Sequence, residues 1–398
     1  MTFDATQFRA QFPALHNQIV YLDSAATALK PSAMIEETTL YYQQNTATTL
    51  RSKHNQAQIV TEKCELARKF VAKMINAPSE QTVIWTRGAT ESVNLIAQRY
   101  ARTLLSADDE IIVSELEHHS NFIPWLQVAQ QIGAKIIKWQ AERDQTLSVN
   151  TLASLITPKT RIIAVTQMSN VTGYQPDIAA ISQLAHQHNA IIVVDAAQGV
   201  VHKPLNVQQY DIDFYLFSAH KLYGPTGLGV LYGKLALLNQ MPSWHGGGKM
   251  LKQVSFEGFE PADLPYKFEA GTLNIAGIVG FYGTLRWWQT VDWQSADQYT
   301  CQLANYAKTQ LAQIPHVQIY SAENSTIISF SINDIHHDDL AILLAEQNIA
   351  LRTGELCAQP FMQALNCAGV IRISLMPYNC QNDIDCFVDA LKNALTLF

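Results

Sequence analysis

Cysteine is scarce in this chain: six residues, Cys64, Cys301, Cys357, Cys367, Cys380 and Cys386, are scattered among 398, and no two form a CxxC pair. That spacing argues against a disulfide framework and against a zinc site, so no metal is expected and the thiols are expected to be reduced. Charge is sparse too, at 15% of residues, and Lys and Arg never gather into a run. With a formal net charge of −7 the chain has no basic track for phosphates, and nucleic acid is not an expected partner. No apolar run approaches the roughly 20 residues of a membrane-spanning helix. The opening MTFDATQFRAQFPAL also lacks the basic start and apolar stretch of a secretory signal. No membrane partner is expected, and the cytoplasm is the expected location.

What is present is ample apolar material, 48% of the chain, enough for a substantial core. A chain of this length divides into two or three units of roughly 100–200 residues each. Between about 82 and 232, short apolar runs alternate with helical patterns: VIW at 83–85, IIV at 111–113, IIKW at 136–139, RIIAV at 161–165, AIIVVD at 190–195, FYLF at 214–217 and GVLYG at 229–233. Alternation of this kind predicts βαβ units and a mainly parallel sheet, here of seven strands. The segment 177–188 shows the intervening helices, with Ile178, Ile181, Leu184 and Ala185 at helical spacing behind Pro176 and a cap at Asp177.

After about residue 285 the pattern changes. An amphipathic helix near 293–313, strands at 317–320 and 326–332, a helix from Asp338 and strands near 349–352 and 370–375 describe an α+β unit. The expected division is an N-terminal segment, 1–18, packing near the smaller unit, a large α/β unit at 19–284, and a smaller α+β unit at 285–398.

Four segments carry chemistry. In FSAHKLYGPTGLG, Ser218, His220 and Lys221 follow directly on a strand, at the end of an α/β sheet where ligands gather. A lysine placed there, among phosphate-binding groups, suits a Schiff base to a phosphorylated aldehyde, although a loop lysine alone is usually just solvated. Asp195 ends IIVVD, with Gln198 shortly after; a carboxylate there either caps a helix or faces a pyridine nitrogen and keeps it protonated. In TRGATES at 86–92, a strand-to-helix junction offers the backbone N–H groups of Gly88, Ala89 and Thr90 and a hydroxyl to a phosphate, while Thr90 also reads as a plain helix cap. In EHHSN at 117–121, His118 offers an aromatic face at the end of another strand.

Taken together with YLDSAATALKP at 21–31, QMSNVTG at 167–173, FEAGTLN at 268–274 and LRTGELCAQP at 351–360, these segments resemble the class V, fold-type I enzymes dependent on pyridoxal 5′-phosphate (PLP). Within that class the resemblance is to the group II cysteine desulfurases and cysteine sulfinate desulfinases, and it spans nearly the whole chain. It implies that Lys221 forms the internal aldimine, that Asp195 pairs with the pyridine nitrogen, that Gln198 bonds the phenolic oxygen and that His118 stacks on the ring. Thr90, Ser218 and His220, beside Ala89, would hold the phosphate, and Thr272 would reach the site of a neighbouring subunit in a homodimer. Asn170, Ala26 and Arg372 would receive the substrate, Arg372 by a bidentate clamp on its carboxylate. Cys357 matches the sulfur-accepting cysteine, and the other five cysteines read as packing residues.

The resemblance therefore implies conversion of L-cysteine to L-alanine with a persulfide on Cys357, handed on to a protein sulfur acceptor, as in iron–sulfur cluster assembly. Selenocysteine lyase or sulfinate desulfinase activity is the runner-up, and a PLP-binding scaffold of little activity a further alternative. Departures from the family pattern bear on this choice. Leu356 and Leu50, the latter just before Arg51, stand where histidines are frequent, Ala89 replaces a frequent threonine and Leu273 a frequent proline. An NAD-binding reading is disfavoured, because GPTGLG and GGGK lack the GxGxxG spacing between a first strand and helix.

Overall fold

A computed structural model describes residues 3–50 and 52–398; Met1, Thr2 and Arg51 lie outside the described residues. The seven apolar runs form strands Val83–Thr86, Glu110–Ser114, Lys135–Trp139, Thr160–Thr166, Ile191–Asp195, Phe214–Ser218 and Gly229–Gly233, joined in one sheet. From edge to edge the strands beginning at 83, 229, 214, 191, 160, 110 and 135 lie side by side. Gly229–Gly233 runs antiparallel to both of its neighbours, and the other six share one direction. The central strands are runs of Ile, Val and Phe because both faces are covered: every residue of Phe214–Ser218 is buried. Helix Ile178–Gln187 covers one face with Ile178, Ile181 and Ala185, and the Asp177 carboxylate accepts from the Ala180 N–H at 3.0 Å to cap it, as the spacing predicts.

A second, four-stranded antiparallel sheet holds Val317–Tyr320, Ile327–Ile332, Val370–Ser374 and Arg352–Gly354, in that order. Helices Trp293–Leu311, His337–Ala345 and Gln381–Leu395 close its core around Leu22, Phe330, Leu344, Ile373 and Phe387. Helix Ile275–Trp288 runs straight through position 285, so the change of architecture falls between it and the helix that begins at Trp293.

Two features were not legible in the sequence pattern. The single strand expected near 349–352 divides: Arg352–Gly354 joins the second sheet, whereas Ile349–Ala350 pairs in parallel with Val20–Tyr21. The Ser374 N–H donates to the Leu22 carbonyl at 2.7 Å, which lays residues 20–23 along the second sheet. Arg9 fastens the N-terminal helix Ala5–Arg9 to the same part of the molecule, donating to Asp383 at 2.7 Å and to the Tyr378 carbonyl at 2.6 Å. The other unforeseen element is a hairpin, Leu251–Ser255 with Gly258–Pro261, which exposes Val254, Phe256 and Phe259. No helix among the described residues is long and apolar enough to cross a membrane.

Candidate active site

The carboxyl ends of strands Thr160–Thr166, Ile191–Asp195 and Phe214–Ser218 open onto a cavity of about 270 Å³, closed on its far side by residues of the second sheet. Parallel strands with helical crossovers leave their ligand crevice at this end. Lys221, on the short turn Ala219–Lys221 that follows strand Phe214–Ser218, projects into it. Burial lowers its ammonium pKa to about 8, against the opposing pull of Asp195. Asp195 is buried, and its carboxyl pKa is raised chiefly by that burial. Its Oδ1 accepts from the Ala197 N–H at 2.9 Å, so the carboxylate closes a local turn and caps no helix. Gln198 Nε2 donates to the Ala25 carbonyl at 2.8 Å, tying residues 23–30 to the sheet. His118 lines the cavity with its Nδ1 accepting from the Ser120 N–H at 3.1 Å. Burial pulls the pKa of this imidazole down to about 3, so its ring is neutral.

One end of the cavity is rich in uncharged donors. Gly88, and not Thr90, is the cap of helix Ala89–Ile96; Thr90 stands in the first turn, exposed, with its hydroxyl free of that duty. The Ala89 N–H donates to Ser218 Oγ at 2.9 Å, joining the helix start to the strand end. His220 stands beside them with Nδ1 buried and without a partner among the described residues, its pKa drawn down by burial to about 4.

The other end gathers charge. Arg372 is buried and donates through Nη1 to the Asn170 carbonyl at 3.0 Å and through Nη2 to Asp23 at 3.4 Å, while its Nε has no partner among the described residues. Asn170 Nδ2 donates to the Leu356 carbonyl at 2.8 Å, and the His119 N–H to the Cys357 carbonyl at 2.8 Å. These bonds hold Leu356 and Cys357 in consecutive left-handed conformations, φ 53° and 55°, with the leucine buried and the cysteine exposed at the cavity rim. Leu356 thus sits in an apolar setting where a histidine was the expected family residue.

Ala26, Ala89, Thr90, His118, Asn170, Asp195, Gln198, Ser218, His220, Lys221, Cys357 and Arg372 all line this one cavity. Thr272 does not; it lines a separate pocket with Arg87, Gly227 and His245. Of the remaining cysteines only Cys64 is fully buried, while Cys386 is exposed and Cys380 caps helix Gln381–Leu395, so the packing reading fails for those two. Sequence reasoning passed over Asp23, Arg352 and Glu117. All three lay within segments already quoted, and Glu117 opens EHHSN. It is fully buried, accepts from Ser114 Oγ, Asn121 Nδ2 and the Thr166 N–H at 2.5, 2.6 and 2.7 Å, and burial raises its pKa to about 8.

At each end a buried polar nitrogen, His220 Nδ1 and Arg372 Nε, has no partner among the described residues, which fits an anionic group at either end. A lysine and a carboxylate lie between those ends, which is the donor set a phosphorylated pyridine aldehyde requires.

The family model described as Aminotransferase class-V matches residues 20–387, and the chain belongs to that family. Cysteine desulfurase CsdA of Escherichia coli (strain K12) is 49% identical over 395 residues, 99% of this chain and 98% of the relative. A probable cysteine desulfurase of Vibrio cholerae serotype O1 (strain ATCC 39315 / El Tor Inaba N16961) is 44% identical over 403 residues, covering 100% of both chains. The crystal structure of CsdA (S-sulfonic acid) from Escherichia coli superposes with a TM-score of 0.96 over 100% of both chains, at 48% identity. The α/β fold and the family resemblance carried by the sequence motifs are therefore borne out.

Proposed function

We propose that this protein is a PLP-dependent cysteine desulfurase, which converts L-cysteine to L-alanine and retains the sulfur as a persulfide on Cys357. The observation that carries this reading is the convergence of Lys221, Asp195, Arg372 and Cys357 on one cavity. PLP would be held by Lys221, with Asp195 toward the pyridine nitrogen, Gln198 toward the phenolic oxygen through its second Nε2 hydrogen, and the neutral His118 ring against its face. Thr90, Ser218, His220 and the Ala89 segment would take the phosphate. When bound, PLP supplies an electron sink for charge released at the substrate Cα.

The chain's own groups do the rest. Arg372 clamps the substrate carboxylate, with Asn170 and Ala26 beside it. The Lys221 amine, released by the substrate amine, takes the Cα proton at Nζ and returns it, a role suited to a group whose pKa lies near 8. The Cys357 thiolate attacks the substrate sulfur; the S–S bond forms, the C–S bond breaks, and its electron pair passes to Cβ, which takes up a proton, matching the one lost from the Cys357 thiol, to become the methyl group of alanine. Exposure of Cys357 at the rim suits transfer of that sulfur to a protein acceptor, as iron–sulfur cluster assembly would require.

The same reading makes the protein a cytoplasmic homodimer, with Thr272 completing the neighbour's phosphate site. It also divides the chain into units at 1–18, 19–284 and 285–398, with the last boundary at the break after Trp288. The test is alanine release from L-cysteine under reducing conditions by the PLP-loaded protein and its Cys357→Ala form. Loss of release in the variant is the expected result. Equal release in both would favour a selenocysteine lyase or sulfinate desulfinase, and none in either a scaffold.

A further inference from the structure

The loop 23–30 carries a lysine that the mechanism above does not use. Lys30 is half-buried, and its three ammonium hydrogens meet three oxygens: the Ala28 carbonyl at 2.6 Å, the His220 carbonyl at 2.8 Å and Thr27 Oγ1 at 3.2 Å. It has no carboxylate partner among the described residues. A charge removed from water is ordinarily paired, and an unpaired one is stabilised when an anion arrives. Burial lowers the pKa of this ammonium to about 7, and its charge in turn lowers that of His220. The titratable groups around it are His220 and Lys221 on the adjoining turn, and Asp23, Tyr21 and Tyr378 about its own loop, where Asp23 is committed to Arg372.

The donors gathered at the phosphate end, Thr90, Ser218, the Ala89 segment and a neutral His220, carry no formal charge. Arg87 nearby is exposed and faces Glu91, and Arg352 and Arg372 belong to the Asp23 end. Lys221 lines the same cavity, but its amine is committed to the aldehyde, so a phosphate dianion held by these neutral dipoles has no cation of its own among the groups that line that end.

We propose that Lys30 is a positioning residue that supplies this counter-charge from behind the His220 turn, so that it recognises the phosphate of PLP and not its ring. The inference rests on the PLP reading and deepens it. Two consequences follow. The dianion holds Lys30 protonated, so PLP binding takes up a proton wherever the apo-protein has lost it, and affinity falls by up to tenfold per pH unit above about pH 7. Pyridoxal, which has the same aldehyde and ring but no phosphate, gains nothing from Lys30.

The experiment measures binding of PLP and of pyridoxal to apo-protein from pH 6 to 9, by the visible absorbance that follows lysine attachment, in wild type, Lys30→Met and Lys30→Arg. Expected are at least a tenfold weakening of PLP binding in Lys30→Met at pH 6, no change for pyridoxal, and loss of the wild-type component of the pH slope. Lys30→Arg, which keeps its charge throughout, should bind PLP with that component equally absent but the affinity retained. Weakening of PLP and pyridoxal by the same factor would overturn the proposal in favour of a scaffold role, as would unaltered PLP binding in Lys30→Met. Should Lys30→Met fail to fold, Lys30→Gln takes its place on the same criteria. A wild-type protein that never develops the absorbance would overturn the PLP reading itself, whereas a variant that behaves as wild type overturns the role of Lys30 alone.

Discussion

Cys357 does its proposed work from an unusual backbone. Two successive non-glycine residues at positive φ are each disfavoured by about 1–2 kcal/mol, and the loop keeps them through hydrogen bonds to both carbonyls. Asn170→Ala removes one of those bonds as well as a neighbour of the substrate carboxylate; it should lower cysteine turnover about 10- to 100-fold and that of cysteine sulfinate, which needs no thiolate, by a smaller factor, with the lysine-bound absorbance kept. Lys221→Ala is expected to lose both absorbance and turnover, in contrast to Cys357→Ala, which loses desulfuration alone; a spectrum and an alanine assay on each variant separate the two. Arg372→Lys keeps a charge but loses the planar fork, and steady-state kinetics should show KM for cysteine raised about 10- to 100-fold, equivalent to about 1.5–3 kcal/mol. The imidazoles set an acid limit. His118 and His220 titrate near 3 and 4 when folded and near 6.5 when unfolded, so the unfolded chain binds the extra protons first and stability is lost as pH falls from about 6.5 toward 4. Thermal midpoints of the apo-protein should fall across that window, and less steeply in His118→Asn.

Among the elements, the strands were legible because β-branched and aromatic runs bounded by polar turns have little alternative to a doubly covered parallel sheet. Val20–Tyr21 was not, because two residues carry no periodicity and their partner lies in another part of the sequence. The hairpin Leu251–Ser255 with Gly258–Pro261 escaped for a different reason: its alternation is broken by exposed apolar side chains. At the site, Lys221, Asp195 and His118 were legible from their places at strand ends. Asp23, Arg352 and Lys30 matter through packing partners that sequence spacing does not disclose. Packing also governs the strand opposite the phosphate end: a Cβ on Gly229 would lie 2.4 Å from Gly88 Cα. Gly229→Ala must displace the cap of helix Ala89–Ile96, and thermal unfolding together with dialysis should show about 1–3 kcal/mol lost and faster release of PLP.

The whole molecule is held by a few long-range ties. Arg68, fully buried on helix Asn55–Met74, donates to Glu269 at 2.6 and 3.0 Å and to the Val83 carbonyl at 2.8 Å, and Glu269 also accepts from the Trp85 N–H at 2.8 Å. The pair links a helix, the edge strand and the segment that carries Thr272. Glu269→Ala leaves the buried guanidinium only the half-buried Glu65, 3.1 Å from its Nε, and should cost up to about 3 kcal/mol, read from chemical denaturation, and weaken subunit association, read from sedimentation. The pairing of Val20–Tyr21 with Ile349–Ala350 has a consequence for biosynthesis. The first of these segments leaves the ribosome tens of seconds before the second at ordinary elongation rates. Leu22 is bound for the core of the second sheet, yet through that interval it has no such core to enter, so its burial waits on synthesis of the strands near 327–332 and 370–374.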